Sequence, residues 1–210
     1  MCGGGKISSP VLIMQKLTSE TAKELLHKNM QNQNLRRHCY CVGFVLRALH
    51  DYYSQENRAT GSLNVDEWEI IGILHDADWE LTAQTPDKHT IMLLEWLQNY
   101  DTPQELLNVF KSHNNAHTHL REPETLLEWS LECCDELTGF IVATALVRPD
   151  KKLAEVTIES VLKKFKQKEF ARAVNREQIA QCEAKLNVPL DKFVEIALKA
   201  MQTNSAELGL

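Results

Sequence analysis

The sequence predicts an all-α protein. Apolar residues recur at three- and four-residue spacing in segment after segment, as in Val42, Val45 and Leu49 or Trp68, Ile71 and Leu74. Side chains suited to N-capping stand ahead of those segments, most plainly at Thr18, Asn64 and Asn175. No stretch alternates apolar and polar residues as strands do.

The first helix opens around residues 17–21, capped by Thr18 or Ser19, with Ala22, Leu25 and Leu26 on its apolar side. It fades into the amide-rich run 29–34. Asn34 is then an N-cap for a second helix reaching about Tyr53, in which His38 shares a stripe with Val42, Val45 and Leu49 and so points inward. Residues 57–64 are polar, contain Gly61 and read as a loop. Asn64-x-x-Glu67 resembles a capping box for the next segment, DEWEIIGILHDADWE at 66–80. Trp68, Ile71 and His75 lie on one face of that helix, and Asp76 follows directly. The stretch LTAQTPDK reads as an irregular loop, after which Asp87 can cap a helix over about 89–100, with His89 in its first turn.

Thr102, Pro103 and Glu105 fall at N-cap, N1 and N3 of the following helix, where Leu106, Phe110 and His113 face inward. His117 and His119 fall in a loop. The longest helix is predicted over about 124–147, stopped by Arg148-Pro149. It carries Asp135 on a face with Leu127, Leu131 and Thr138, and Gly139 would let another helix approach closely. Beyond Pro149 the chain turns basic through Lys151, Lys152, Lys163, Lys164, Lys166 and Lys168, with helices predicted over 157–165, 175–186 and 191–201. The expected organisation is a flexible N-terminal tail at 1–16, a metal-binding helical domain at 17–150 and a helical extension at 151–210 packed on that domain.

Composition narrows the function classes. Of 210 residues, 43% are apolar and 25% charged, as in ordinary globular proteins. No apolar run approaches the roughly 20 residues that cross a bilayer, and MCGGGKISSPVLIM, with one Lys, is neither a secretory signal nor a myristoylation pattern. A net charge of −6 argues against a protein that holds duplex nucleic acid electrostatically. The six cysteines, Cys2, Cys39, Cys41, Cys133, Cys134 and Cys182, form no Cys-x-x-Cys pair, and the expectation is a reduced, cytoplasmic protein with no membrane partner.

A single inward histidine is ordinary in a core. Here His38, the His75-Asp76 pair, His113 and Asp135 are inward on separate helices, with His89 at the start of another. Imidazoles and carboxylates converging in one interior suit a divalent cation. Without a cation, two neighbouring carboxylates in an apolar core predict a raised pKa for one or both.

The order His…His-Asp…His…His…Asp resembles the HD superfamily of metal-dependent phosphohydrolases. LRRHCYCVGFVLRAL looks like its first-His helix, IIGILHDADWE like its HD helix, and CCDELTGFIVATALVRP like the last-Asp helix of a subgroup of small HD proteins; VLKKFKQKEFARAVNREQI is similar to that subgroup's tail. The resemblance implies an all-α HD-domain bundle. It implies one metal held by His38, His75, Asp76 and Asp135, or two with His89 and His113 added and Asp76 bridging. The metal would be Mn, Mg, Co, Ni, Zn or Fe. Members with two metals usually have Gly after the third His, where this chain has Thr90. No Gly-Tyr-Pro motif of the cyclic-dinucleotide branch is present.

The implied activity is hydrolysis of a phosphate monoester or diester, a nucleotide among the candidates, by metal-activated water. Asp78 and Glu80 are the candidates for handling the proton. Arg37, Arg148 and Lys163 are the candidates for the substrate phosphate. Two other readings compete: a diiron HD-type oxygenase, and a non-catalytic protein that binds a metal or nucleotide.

Overall fold

The computed structural model describes residues 14–209 and is all-α, with one two-residue strand pair. The helices are α1 (Ser19–Asn29), α2 (Gln33–Gln55), α3 (Val65–Leu74), α4 (Trp79–Thr82), α5 (Ile91–Leu97), α6 (Gln104–His113), α7 (Asn115–Thr118), α8 (Leu126–Leu146), α9 (Ile158–Phe165), α10 (Arg176–Leu186), α11 (Leu190–Thr203) and α12 (Ser205–Leu208). Among the described residues no helix is long and apolar enough to cross a membrane. Cys39, Cys41, Cys133, Cys134 and Cys182 are buried free thiols; Cys2 lies outside the described residues.

Side-chain capping sets half of these helix starts. Thr18 and Thr21 form a capping box on α1, Asn64 and Glu67 on α3, and Thr125 and Glu128 on α8. Thr157 and Asn175 cap α9 and α10. Four expectations are corrected. Asn32, not Asn34, caps α2, because its side chain accepts from both Asn34 N and Leu35 N. At 23 residues α2, not α8 with 21, is the longest helix. Thr102 does not cap α6; Glu105 instead turns to the neighbouring loop and accepts from the Ser62 amide at 3.2 Å and from its hydroxyl. The helix expected over 89–100 is shorter, since a 3-10 turn at Pro86–Lys88 precedes it and leaves His89 outside α5.

Of the predicted tail, residues 1–13 lie outside the described residues. Gln15–Lys16 forms a strand that pairs in parallel with Tyr100–Asp101. Two residues are too few for a period-two pattern to show in sequence.

The core is continuous from the domain into the extension. Trp68, Tyr53, Phe110, Phe140 and Phe193 are fully buried, α2 packs on α3, α8 and α11, and α10 packs on α8. α2 and α3 meet at their backbones: a Cβ added to Gly72 would stand 2.4 Å from Gly43 N and 2.5 Å from Gly43 Cα. In the extension, Arg176 donates to the carbonyls of Phe165, Gln167 and Phe170 and lies over the Phe140 ring. The link between α9 and α10 therefore folds around the Arg176 guanidinium, which lies against Phe140 of α8.

Candidate metal centre

Four elements deliver four imidazoles to one point. His38 lies in the second turn of α2, His75 caps the C-terminus of α3, His113 ends α6, and His89 sits between the 3-10 turn and α5. Their Nε2 atoms surround Asp76. Asp76 Oδ2 is 3.7 Å from His38 Nε2 and 3.6 Å from His75 Nε2, while Oδ1 is 3.3 Å from His89 Nε2 and 3.6 Å from His113 Nε2. Asp135, midway along α8, places Oδ1 2.8 Å from His38 Nε2 and 3.5 Å from His75 Nε2. Asp76 thus stands between two groups, with His38, His75 and Asp135 on one oxygen and His89 and His113 on the other.

The opposite nitrogen of each ring is held from behind. His75 Nδ1 donates to Gly72 O at 2.7 Å, His89 Nδ1 to Asp78 Oδ1 at 2.7 Å, and His113 Nδ1 to Glu132 Oε1 at 3.2 Å. The Thr138 hydroxyl donates to the Asp135 carbonyl at 2.9 Å, so its lone pair is free to accept from His38 Nδ1 at 3.2 Å. Carbonyls and carboxylates only accept, so His75, His89 and His113 each carry a proton on Nδ1, and all four Nε2 atoms face the centre. Such backing is how proteins orient metal-binding histidines.

The residues fit a metal. His75 Nε2 is buried with no hydrogen-bond partner, and the carboxylate oxygens nearest it, at 3.5 and 3.6 Å, are too far to satisfy it. Ligand atoms of His38, His75 and Asp135 lie within 4.8 Å of one another, as do those of His75, Asp76 and His113, and each group can hold a metal ion.

The electrostatics run against one expectation. Burial disfavours the charged carboxylate of Asp76, but His75, His113 and His89 outweigh it and hold its pKa well below the ordinary value. Asp135 is likewise lowered despite burial, by His38 and His75. The expected rise is thus corrected: the imidazoles around each carboxylate outweigh its burial. Burial likewise opposes charge on His38, His89 and His113. Asp135 raises the first, Asp76 with Asp78 the second, and Asp76 with Glu132 raises the third well above the ordinary value.

The other sequence candidates divide. Asp78 reaches the centre only at one remove. It is fully buried, and both oxygens are engaged, one by His89 and the other by the Leu93 amide at 3.0 Å. Glu80 faces away and accepts from the amides of Gln31 and Asn32 at 2.6 and 3.0 Å, closing the α1–α2 link. Arg148 pairs with Asp150 at 3.2 Å; it lies thirteen positions beyond Asp135, roughly 20 Å along a helix axis. Lys163 is exposed on α9 without an ion pair or hydrogen bond among the described residues. Arg37 lines a cavity together with His38. Thr90, the residue in the usual glycine position, has φ +66° and ψ −28°, and its hydroxyl is buried without a partner.

Sequence reasoning missed Glu132, Gln178 and Asn114. Glu132 precedes Asp135 by one helical step of three, which was a usable signal. Its Oε2 accepts from Gln178 Nε2 of α10 at 3.1 Å, so the C-terminal extension supports His113 through Glu132. Asn114 donates to the carbonyls of Pro86 and His89 at 2.7 and 2.8 Å and fixes the loop that carries His89.

Comparison of the chain with protein-family models, curated proteins and solved structures finds no match.

Proposed function

We propose that this chain is a metal-dependent phosphohydrolase of the HD type. It acts on a phosphate monoester or diester, a nucleotide among the candidates, with one or two divalent ions. The observation that carries the reading is Asp76, whose two oxygens each face a separate pair of imidazole Nε2 atoms. The order of the six residues along the chain supports it further through the resemblance to HD proteins.

Bound divalent ions supply a Lewis acid that polarises a phosphoryl oxygen and lowers the pKa of bound water. The chain's own residues set the geometry. Gly72, Asp78, Glu132 and Thr138 fix the rings, and His75 forms a closed floor with 0% of its side chain exposed. His38 and Asp135 keep 23% and 21% exposure, so reactants enter on their side. Asp78 and Glu132 hold His89 and His113 by Nδ1, so an ion bound at the centre would take the place of the Nε2 proton.

The test is metal analysis of protein purified without added metal, followed by phosphatase and phosphodiesterase panels with Mn²⁺, Co²⁺, Ni²⁺, Mg²⁺ and Fe²⁺. The expected result is divalent-dependent hydrolysis of at least one ester, absent in Asp76→Ala. A shared carboxylate also suits the diiron reading, and two irons per chain with oxygen-dependent turnover would establish that instead. Retained metal with a flat panel would favour the non-catalytic reading.

A further inference from the structure

We propose that the cavity beside His38 holds the organic group of the substrate, and that this group is small, apolar and ends in a hydrogen-bond acceptor. The proposal rests on the phosphohydrolase reading. The cavity, of about 330 Å³, lies between α2 and α8 and is lined by Arg37, His38, Cys41, Gly139, Val142 and Leu146 among others. His38 is common to the cavity and the centre, since its Nε2 meets Asp135 while its Nδ1 side rests on Thr138, another wall residue. A phosphate entering on the open His38–Asp135 side has this volume next to it.

Gly139 lies exposed on the cavity wall, and no side chain of the protein fills the space over it. A glycine inside a helix costs about 1 kcal/mol against alanine, and the usual compensation is close packing of another helix. The structure corrects that expectation: a Cβ at Gly139 would meet nothing within 4 Å. What the glycine provides is room. The walls around that room are apolar, with Cys41 fully buried and Leu146 left 51% exposed at the end of α8. Ligand pockets span roughly 300–1,000 Å³, so this one takes a single ring or short chain.

The polar end presents donors. Arg37 Nε donates to the Leu208 carbonyl at 2.6 Å and Nη1 to Asn34 Oδ1 at 3.0 Å, both neutral acceptors. Among the described residues no carboxylate pairs with it. Arg37 therefore brings a positive charge to the cavity, suited to a carbonyl or carboxylate on the occupant. The substrate class is an organic phosphate with an apolar, acceptor-bearing group, not a polyol phosphate.

The experiment is calorimetric titration of Mn²⁺-loaded protein with inorganic phosphate, phenylphosphonate and 4-carboxyphenylphosphonate. Wild type should bind phenylphosphonate about tenfold tighter than phosphate, and the carboxylated probe tighter again. Gly139→Leu should remove the preference while leaving Mn²⁺ and phosphate binding intact, and Val142→Phe should do the same if the first variant folds poorly. Arg37→Ala should remove only the gain from the carboxylate. Equal binding of phosphate and phenylphosphonate by wild type, or equal weakening of both by Gly139→Leu, would overturn the proposal. If phosphate itself shows no Mn²⁺-dependent binding, the reading of the centre fails and the proposal with it.

Discussion

His89 Nδ1 and Asp78 Oδ1 stand 2.7 Å apart, and the second oxygen of that buried carboxylate holds the amide of Leu93. Asp78 is therefore committed to holding the His89 ring and is not a free base. Asp78→Ala leaves two buried donors unpaired and lets the His89 ring turn. Affinity for the ion on the His89–His113 side should fall about 10–100-fold, and the fold should lose about 2–4 kcal/mol. Mn²⁺ titration calorimetry and thermal unfolding check both. Unchanged affinity would remove Asp78 from the centre.

Asp76 and Asp135 should be separable by metal content. Asp76 touches all four imidazoles, whereas Asp135 touches only His38 and His75. Asp76→Ala should empty the centre, and Asp135→Ala should retain an ion on the far side, as read by elemental analysis after dialysis. In chelator at pH 6 either variant should be destabilised by about 2 kcal/mol or more, because each carboxylate compensates imidazolium charge. Simple relief of carboxylate repulsion would leave stability nearly unchanged.

The pH dependence of stability should reverse on metal binding. His38, His89 and His113 hold protons more tightly folded than unfolded, so their contribution is complete below their ordinary value of 6.5 and is lost as pH rises through the higher folded values. Asp76 and Asp135 are lowered, so their contribution is present above 3.8 and is lost as pH falls through the folded values. In chelator the centre should stabilise most between about pH 4 and 6.5 and less toward pH 8. With saturating Mn²⁺, ions and protons compete for Nε2, and stability should rise from pH 6 to 8. Melting temperatures with parallel slopes in the two conditions would contradict the arrangement.

Thr90→Gly should stabilise the protein. A β-branched residue at φ +66° carries about 1–3 kcal/mol of backbone strain, and its unpartnered buried hydroxyl adds to that. The entropy lost to glycine in the unfolded chain is about 0.4–1 kcal/mol. The net expectation is a gain of about 1 kcal/mol in thermal unfolding, with Mn²⁺ affinity unchanged or improved because His89 keeps its loop conformation.

The fold was legible where the signals were local. Thr18, Asn64, Thr157 and Asn175 announce their helices by single side-chain hydrogen bonds, and the inward placement of His38, His75, His113 and Asp135 follows from helical periodicity. What escaped depends on distant parts of the chain. Asp78 looks like a polar helix end until α5 folds against it, and Glu132 looks like a surface residue until His113 and Gln178 arrive from α6 and α10. Arg148 ends the helix that carries Asp135 and Lys163 brings charge, but neither position on the chain specifies the direction of the side chain.

The backbone contact between Gly43 and Gly72 has a consequence for ion selection. It fixes the distance between the helices that carry His38 and His75, and Gly72 also supplies the carbonyl that aims His75. Any ion held at the centre would therefore meet a bite set when the chain folds, one that cannot widen without prising two helices apart. Such a rigid aperture discriminates by ionic radius: Ca²⁺, with bonds of about 2.3–2.6 Å, should be rejected in favour of ions that bind imidazole near 2.1 Å.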